Sequence, residues 1–127
     1  MCTRLIGKTN VRYGYKVVEV LNLSYKTYSP FNTHEWIIGM NVARDAGYII
    51  PEKGKKVYQG FFHMCANLTQ AKSLINDLIP RSGHSFKIIK VRLVGDTYKG
   101  IHTASSDSTN GKVAYLSNVV FWDGSYV

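Results

Sequence analysis

Between Asn67 and Pro80 one apolar stripe runs at helical spacing: Leu68, Ala71, Ile75, Leu78 and Ile79. Extended patterns flank it on both sides. A helix with a single apolar stripe needs a flat surface to pack on. Asn67 predicts the N-cap, and Gln70 predicts a capping box that reaches back to the cap's own N–H. Pro80 predicts the stop, with Arg81-Ser82-Gly83 as the exit. The flat surface is predicted just downstream. From Ser85 to Val94, Ile89, Val91 and Leu93 alternate with Lys90 and Arg92, as in a strand with one face in the core and one in water.

Other segments read as strands. Tyr13, Tyr15 and Val17 alternate with Gly14, Lys16 and Val18, and Leu21 to Tyr28 stays extended until Ser29-Pro30. Glu35 to Asn41 reads as a strand or a short helix. Tyr48 to Ile50 reads as a short strand ended by Pro51 and the charged turn Glu52 to Lys55. Val57 to Cys65 is extended, and Thr97–Thr103 and Lys112–Trp122 are two further strands around a polar loop, Ala104 to Gly111. The expectation is an α+β fold, a mainly antiparallel sheet with one main amphipathic helix packed on it, as a single domain over residues 1–127. With 45% apolar and 19% charged residues the chain has enough apolar surface for a core.

The charge balance points to a class of partner. Sixteen Lys and Arg against eight Asp and Glu give a net charge of +8, which favours phosphates, nucleic acids or anionic lipid headgroups. The cations are dispersed, with Lys53, Lys55 and Lys56 the densest group, so the charge is expected on a folded surface and not on a basic arm. No apolar run approaches a membrane span or a signal sequence. Two cysteines, Cys2 and Cys65, are too few for a disulfide scaffold, and a cytoplasmic location is expected.

Catalytic constellations are sparse. His63 and Cys65 share a strand face, but His34, His84 and His102 are dispersed, and no metal or cofactor is expected. Cys65 reads as a core thiol, and the acids form no paired cluster. The loop from Thr103 to Lys112 has hydroxyls and an Asn110-Gly111-Lys112 end that suit a phosphate nest, as they also suit an ordinary hairpin. Aromatics say more. Nine Tyr, five Phe and two Trp include several beside a cation: Arg12-Tyr13, Tyr15-Lys16, Tyr25-Lys26 and Tyr98-Lys99. Rings stack on bases while Arg and Lys hold phosphates. The candidate ligand-binding residues are Arg81, Lys90, Arg92, Tyr98, Lys99, Phe62 and Asn118.

Met1-Cys2, Tyr15-Lys16-Val17, Ser29-Pro30-Phe31, Gly60-Phe61-Phe62-His63, Ala71 and Gly95 together resemble a pattern of small phage and prophage proteins, with an extra Phe in the Gly-Phe-His step. Among these the chain is most similar to the anti-Thoeris sponges. That resemblance implies sequestration, without cleavage, of cyclic ADP-ribose signals in the host bacterial cytoplasm. It also implies a homo-oligomer built from dimers, with aromatics on adenine and arginines on the pyrophosphate. The expected function is therefore non-catalytic binding of a small anionic nucleotide, a cyclic ADP-ribose isomer or a cyclic oligonucleotide. One alternative is nucleic-acid binding on a basic, aromatic-rich sheet face. Another is a small ADP-ribosyltransferase-like enzyme, which usually carries a late glutamate. Here Glu19, Glu35 and Glu52 all come early, and only Asp123 lies near the end.

Overall fold

The computed structural model describes residues 3–23, 26–29, 34–43, 52–57, 61–80, 82–103 and 108–127. Among them the chain forms β1 (Thr3–Lys8), β2 (Tyr13–Leu21), β3 (Lys26–Tyr28), β4 (Glu35–Trp36), β5 (Gly39–Val42), β6 (Lys56–Val57) and β7 (Phe62–Cys65). The helix α1 (Leu68–Asp77) follows, then β8 (His84–Leu93), β9 (Thr97–His102), β10 (Val113–Ser117) and β11 (Val119–Trp122). The short strand expected at Tyr48–Ile50 lies outside the described residues. No helix among the described residues is long and apolar enough to cross a membrane.

Strand accounts for 52% of the structure and helix for 10%. This is a largely β fold, and it corrects the expected α+β arrangement around a main helix. The reason lies in what the helix covers. The largest core cluster, built around Val18, Trp36, Phe62, Met64, Val91 and Trp122, contains no helical residue. The helix buries only Ala71 and Leu74 fully, against Val17, Cys65 and Ile88. It is a short cap on one patch of sheet. Asn67 caps it as expected, with Oδ1 accepting the Gln70 N–H at 2.9 Å, but Gln70 Oε1 reaches the N–H of Ala66 and not that of Asn67. The helix stops at Asp77, because Pro80 disfavours helical backbone before it and Leu78 is already extended. Ile79, expected on the apolar stripe, is instead 88% exposed.

The strands run in the order β5-β11-β8-β2-β7-β10-β9-β1-β6, all antiparallel. Within that order β10 and β11 are separated by three strands, yet β10 ends at Ser117 and β11 begins at Val119. Two residues of extended chain span only about 7 Å. The run β11-β8-β2-β7-β10 must therefore curl until its ends meet, in a barrel-like turn. Its inner face carries the main core. The expected strand Lys112–Trp122 is thus two strands, with Asn118 as the corner. The Asn118 carbonyl accepts the Ala43 N–H at 2.8 Å, and its Oδ1 accepts the Asp96 N–H at 2.8 Å. Gly95 lies so close that a Cβ there would come within 2.0 Å of Asn118 Oδ1.

One edge of β2 forks. It pairs with β7 at Tyr15↔Cys65 and with β3 from Glu19↔Tyr28 onward. In the gap sits Lys16, 5% exposed, across from Ile89 on the inner face. Its Nζ donates to the His63 carbonyl at 2.9 Å, supplying a donor where the β2–β7 pairing has ended. Burial of the ammonium lowers the Lys16 pKa to about 8. The Trp36 and Phe62 rings pack 4.8 Å apart in the main core cluster.

Two pH effects follow from these buried bases. Below about pH 8 Lys16 is charged in both the folded and the unfolded chain, and the full burial penalty stands. Between about 8 and 10.5 the folded state sheds its proton first, so stability rises with pH across that window. The shift corresponds to roughly 3 kcal/mol. His63 and His34 are also lowered, chiefly by burial, so stability falls as the pH drops below 6.5, where the unfolded chain takes up protons that the folded chain excludes. Urea unfolding across this range is expected to show both slopes. Lys16→Met is expected to remove the alkaline one and to gain about 1–2 kcal/mol at neutral pH, less than the full penalty because the His63 carbonyl loses its donor.

Candidate ligand-binding groove

Pairing across β2, β8 and β11 decides which side chains meet on the outer face. Arg92 stands between Tyr13 on β2 and Phe121 on β11, and Lys90 lies two residues along β8, across from Tyr15. Adjacent strands are about 4.8 Å apart, so the two rings stand roughly 10 Å from each other with a guanidinium between. Lys90 Nζ lies 4.7 Å from the Tyr13 ring centroid, and Arg92 Cζ lies 5.1 Å from that of Phe121. The cations are exposed and Tyr13 is 49% exposed. This row floors a groove of about 400 Å³ whose rim is completed by Asp123, Ser125 and Val127.

The tail that forms the rim is pinned. Val127 N–H donates to the Ile88 carbonyl at 2.8 Å, and Trp122 Nε1 donates to the Ser125 carbonyl at 2.8 Å. Tyr126 shares a hydrogen bond with Thr27 at 2.7 Å, while Lys87 Nζ lies over its ring. Asp123 Oδ1 accepts both the Ser125 hydroxyl at 2.6 Å and the Ser125 N–H at 2.9 Å. Those two bonds lower its pKa, so the carboxylate stays anionic and is a weak proton acceptor. The groove therefore sets the side chains of Lys90 and Arg92 beside the engaged Asp123 carboxylate, with ring faces alongside. Chemically it suits a flat aromatic group joined to an anion.

A second groove, about 550 Å³, is lined by Lys8, Asn10, Arg12, Leu93, Gly95 and Asp96 among others. Its lining neighbours that of the first in sequence, Arg12 preceding Tyr13 and Leu93 following Arg92.

Of the residues expected at the site, the structure brings together Lys90 and Arg92. Arg81 lies outside the described residues. Phe62 is 2% exposed, with its ring 4.8 Å from both Trp36 and His34, so it packs the core. Asn118 is the corner described above. Tyr98 packs edge-on against Phe61 at 5.5 Å within the Leu5–Leu116 cluster. Tyr98 and the exposed Lys99 belong to β9, which is separated from β8 by β2, β7 and β10. The expected phosphate nest also changes character. The Gly111 and Lys112 N–H groups are spent on the carbonyls of His102 and Thr109, and residues 104–107 lie outside the described set.

Tyr13 carried a signal, its position next to Arg12; Phe121 carried none. His63, Met64 and Cys65 are all buried, so both faces of β7 are covered. His63 shares a 2.8 Å hydrogen bond with Thr3, and its Nε2 is buried without a partner. Among the described residues no three His, Cys, Asp or Glu side chains gather to hold a metal. Of the three early glutamates, Glu19 is buried against His84, and Glu35 and Glu52 are exposed.

Comparison with protein-family models, with curated proteins and with solved structures returns no match.

Phe62 and Arg92 separate packing from binding. Phe62→Ala is expected to cost about 3–5 kcal/mol of stability, whereas Arg92→Ala is expected to stay within about 0.5 kcal/mol of the parent. Denaturant midpoints at constant slope check both.

Proposed function

We propose that the protein binds and sequesters a small anionic nucleotide in the groove between Tyr13 and Phe121, without altering it. The observation that carries this reading is the ring–cation–ring row Tyr13–Arg92–Phe121, with Lys90 beside it. A base stacks on the open face of Tyr13 or extends the stack on the Arg92 guanidinium, and the phosphates meet Arg92 and Lys90. Among the described residues Asp123 is the one acidic side chain that lines the groove, and it is held ionised by Ser125, which suits it to shaping the rim and not to proton transfer. The resemblance to anti-Thoeris sponges makes cyclic ADP-ribose isomers the first ligands to test and cyclic oligonucleotides the next. In that role the protein withdraws a defence signal in the cytoplasm of a phage-infected bacterium.

The second groove, with Lys8 and Arg12, favours one further reading. A single-stranded nucleic acid passing from one groove to the other meets four cations, Lys90, Arg92, Arg12 and Lys8. Such binding weakens steeply with salt and strengthens with strand length.

Calorimetry with cyclic ADP-ribose isomers, cyclic dinucleotides and short single strands distinguishes these readings. The expected result is stoichiometric binding of a small nucleotide, recovered unchanged after denaturation. Tyr13→Ala and Arg92→Ala are each expected to weaken it by about 1–3 kcal/mol, while Lys99→Ala leaves it unaltered. Heat only with strands, lost at moderate salt, supports the nucleic-acid reading. No heat with any of these ligands removes both.

A further inference from the structure

On the edge of β8 that faces away from β2, the pairing is interrupted opposite Lys90. Val94 N–H donates to the Val119 carbonyl at 3.0 Å, and the β8–β11 ladder ends where Phe121 pairs with Arg92. Alternate residues of a strand turn their peptide groups to the same edge. Ile88, Lys90, Arg92 and Val94 therefore all present theirs to β11 and the tail that follows it. The next attachment is the Val127 N–H on the Ile88 carbonyl, at 2.8 Å. Between the two attachments β8 advances four residues, from Arg92 to Ile88, while the opposing chain advances six, from Phe121 to Val127.

The extra length bows outward as a bulge at Asp123-Gly124-Ser125. Asp123 Oδ1 holds the N–H and the hydroxyl of Ser125, which fixes the bulge from within. Gly124 has a φ of +90°, and a Cβ there would come within 2.8 Å of Ile38 Cδ1, so only glycine fits. Lys90 lies in the middle of the interrupted stretch. Among the described residues, neither its N–H nor its carbonyl has a backbone partner on that edge. The gap opens into the groove, because Lys90, Asp123, Ser125 and Val127 all line it.

We propose that the Lys90 peptide reads the pairing edge of a nucleobase. Its N–H donates to a ring nitrogen, and its carbonyl accepts from an exocyclic amino group. An added peptide strand would need a run of open groups, whereas one residue is open here. A planar heterocycle with a donor beside an acceptor satisfies both groups at once. The inference rests on the nucleotide reading of the groove and adds to it the group that selects the base. Stacking and phosphate contacts tolerate any base, so selection requires directional groups. The Lys90 peptide is held on its other side by the β2–β8 ladder, and little ordering remains to oppose binding. Arg92 is two residues along β8, about 7 Å away, so one nucleotide spans both.

Nuclear magnetic resonance on the full chain tests this. In the free protein the Lys90 amide is expected to exchange with solvent faster than the Arg92 amide, which the β11 ladder covers. AMP is expected to shift and protect the Lys90 amide. Purine riboside monophosphate, which keeps the ring nitrogens and the phosphate but lacks the amino group, is expected to bind about tenfold more weakly. Lys90→Ala keeps the peptide groups and is expected to leave that ratio unchanged. A Lys90 amide as protected in the free chain as that of Arg92 overturns the proposal. So does AMP binding that leaves this amide unmoved, an analogue bound as tightly as AMP, or a ratio lost in Lys90→Ala. Each of these last three leaves the groove a nucleotide site. No shift in the groove with AMP or with the ligands used in calorimetry removes the nucleotide reading itself, and this inference with it.

Discussion

Nine consecutive pairs between β2 and β8, from Tyr13↔Arg92 to Leu21↔His84, fix where every other part of the molecule lies. Side chains alternate strictly across such a ladder. Tyr13, Tyr15, Lys90 and Arg92 therefore share the outer face, while Gly14, Lys16, Ile89 and Val91 share the inner one. A slip of one residue would push two cations into the core, and the apolar interior at Ile89 and Val91 makes that slip prohibitive. The groove depends on this register. The helix covers the outer face at Val17 and Ile88, and the ladder continues beyond those residues to Lys90 and Arg92.

Local pattern was enough for some of this and not for the rest. The alternation in Ser85–Val94 showed a strand and which of its side chains face water, so Lys90 and Arg92 were legible as exposed cations. The Asn67 cap was legible too, because a cap is a property of four adjacent residues. Phe62 and Phe121 show the limit. Both sit in short apolar strands, and nothing within either strand says which ring turns outward. That is decided by pairing with distant partners, Ser117 for Phe62 and Arg92 for Phe121. The corner at Asn118 was hidden for a similar reason. The apolar runs Val113–Leu116 and Val119–Trp122 are parted only by Ser117 and Asn118, and it is the separate partners of β10 and β11 that reveal that the chain changes place in the sheet. The weight given to the helix erred in the same direction. Its stripe was the clearest local signal, but the larger core is made by strands distant in sequence.

Lys16 shows how a local rule is broken by topology. By alternation it takes the same side as Gly14 and Val18, and in a flat two-layer sheet that side would reach water. Curling of β11-β8-β2-β7-β10 turns it into an interior. Among the described residues the fork in β2 leaves Lys16 to Val18 without a strand partner on that edge, and the long flexible side chain of Lys16 reaches the His63 carbonyl. The buried charge is a cost of closing the sheet in this manner, and it is partly offset by the hydrogen bond to His63.

The outer face thus changes character along β2 and β8, from an apolar patch under the helix at Val17 and Ile88 to the cation–aromatic groove at Tyr13, Lys90 and Arg92. Across the strands the face continues through Phe121, which pairs with Arg92 on one side and Met40 on the other. The ring that closes the groove is therefore held in place from both sides, and its register is set by two ladders at once.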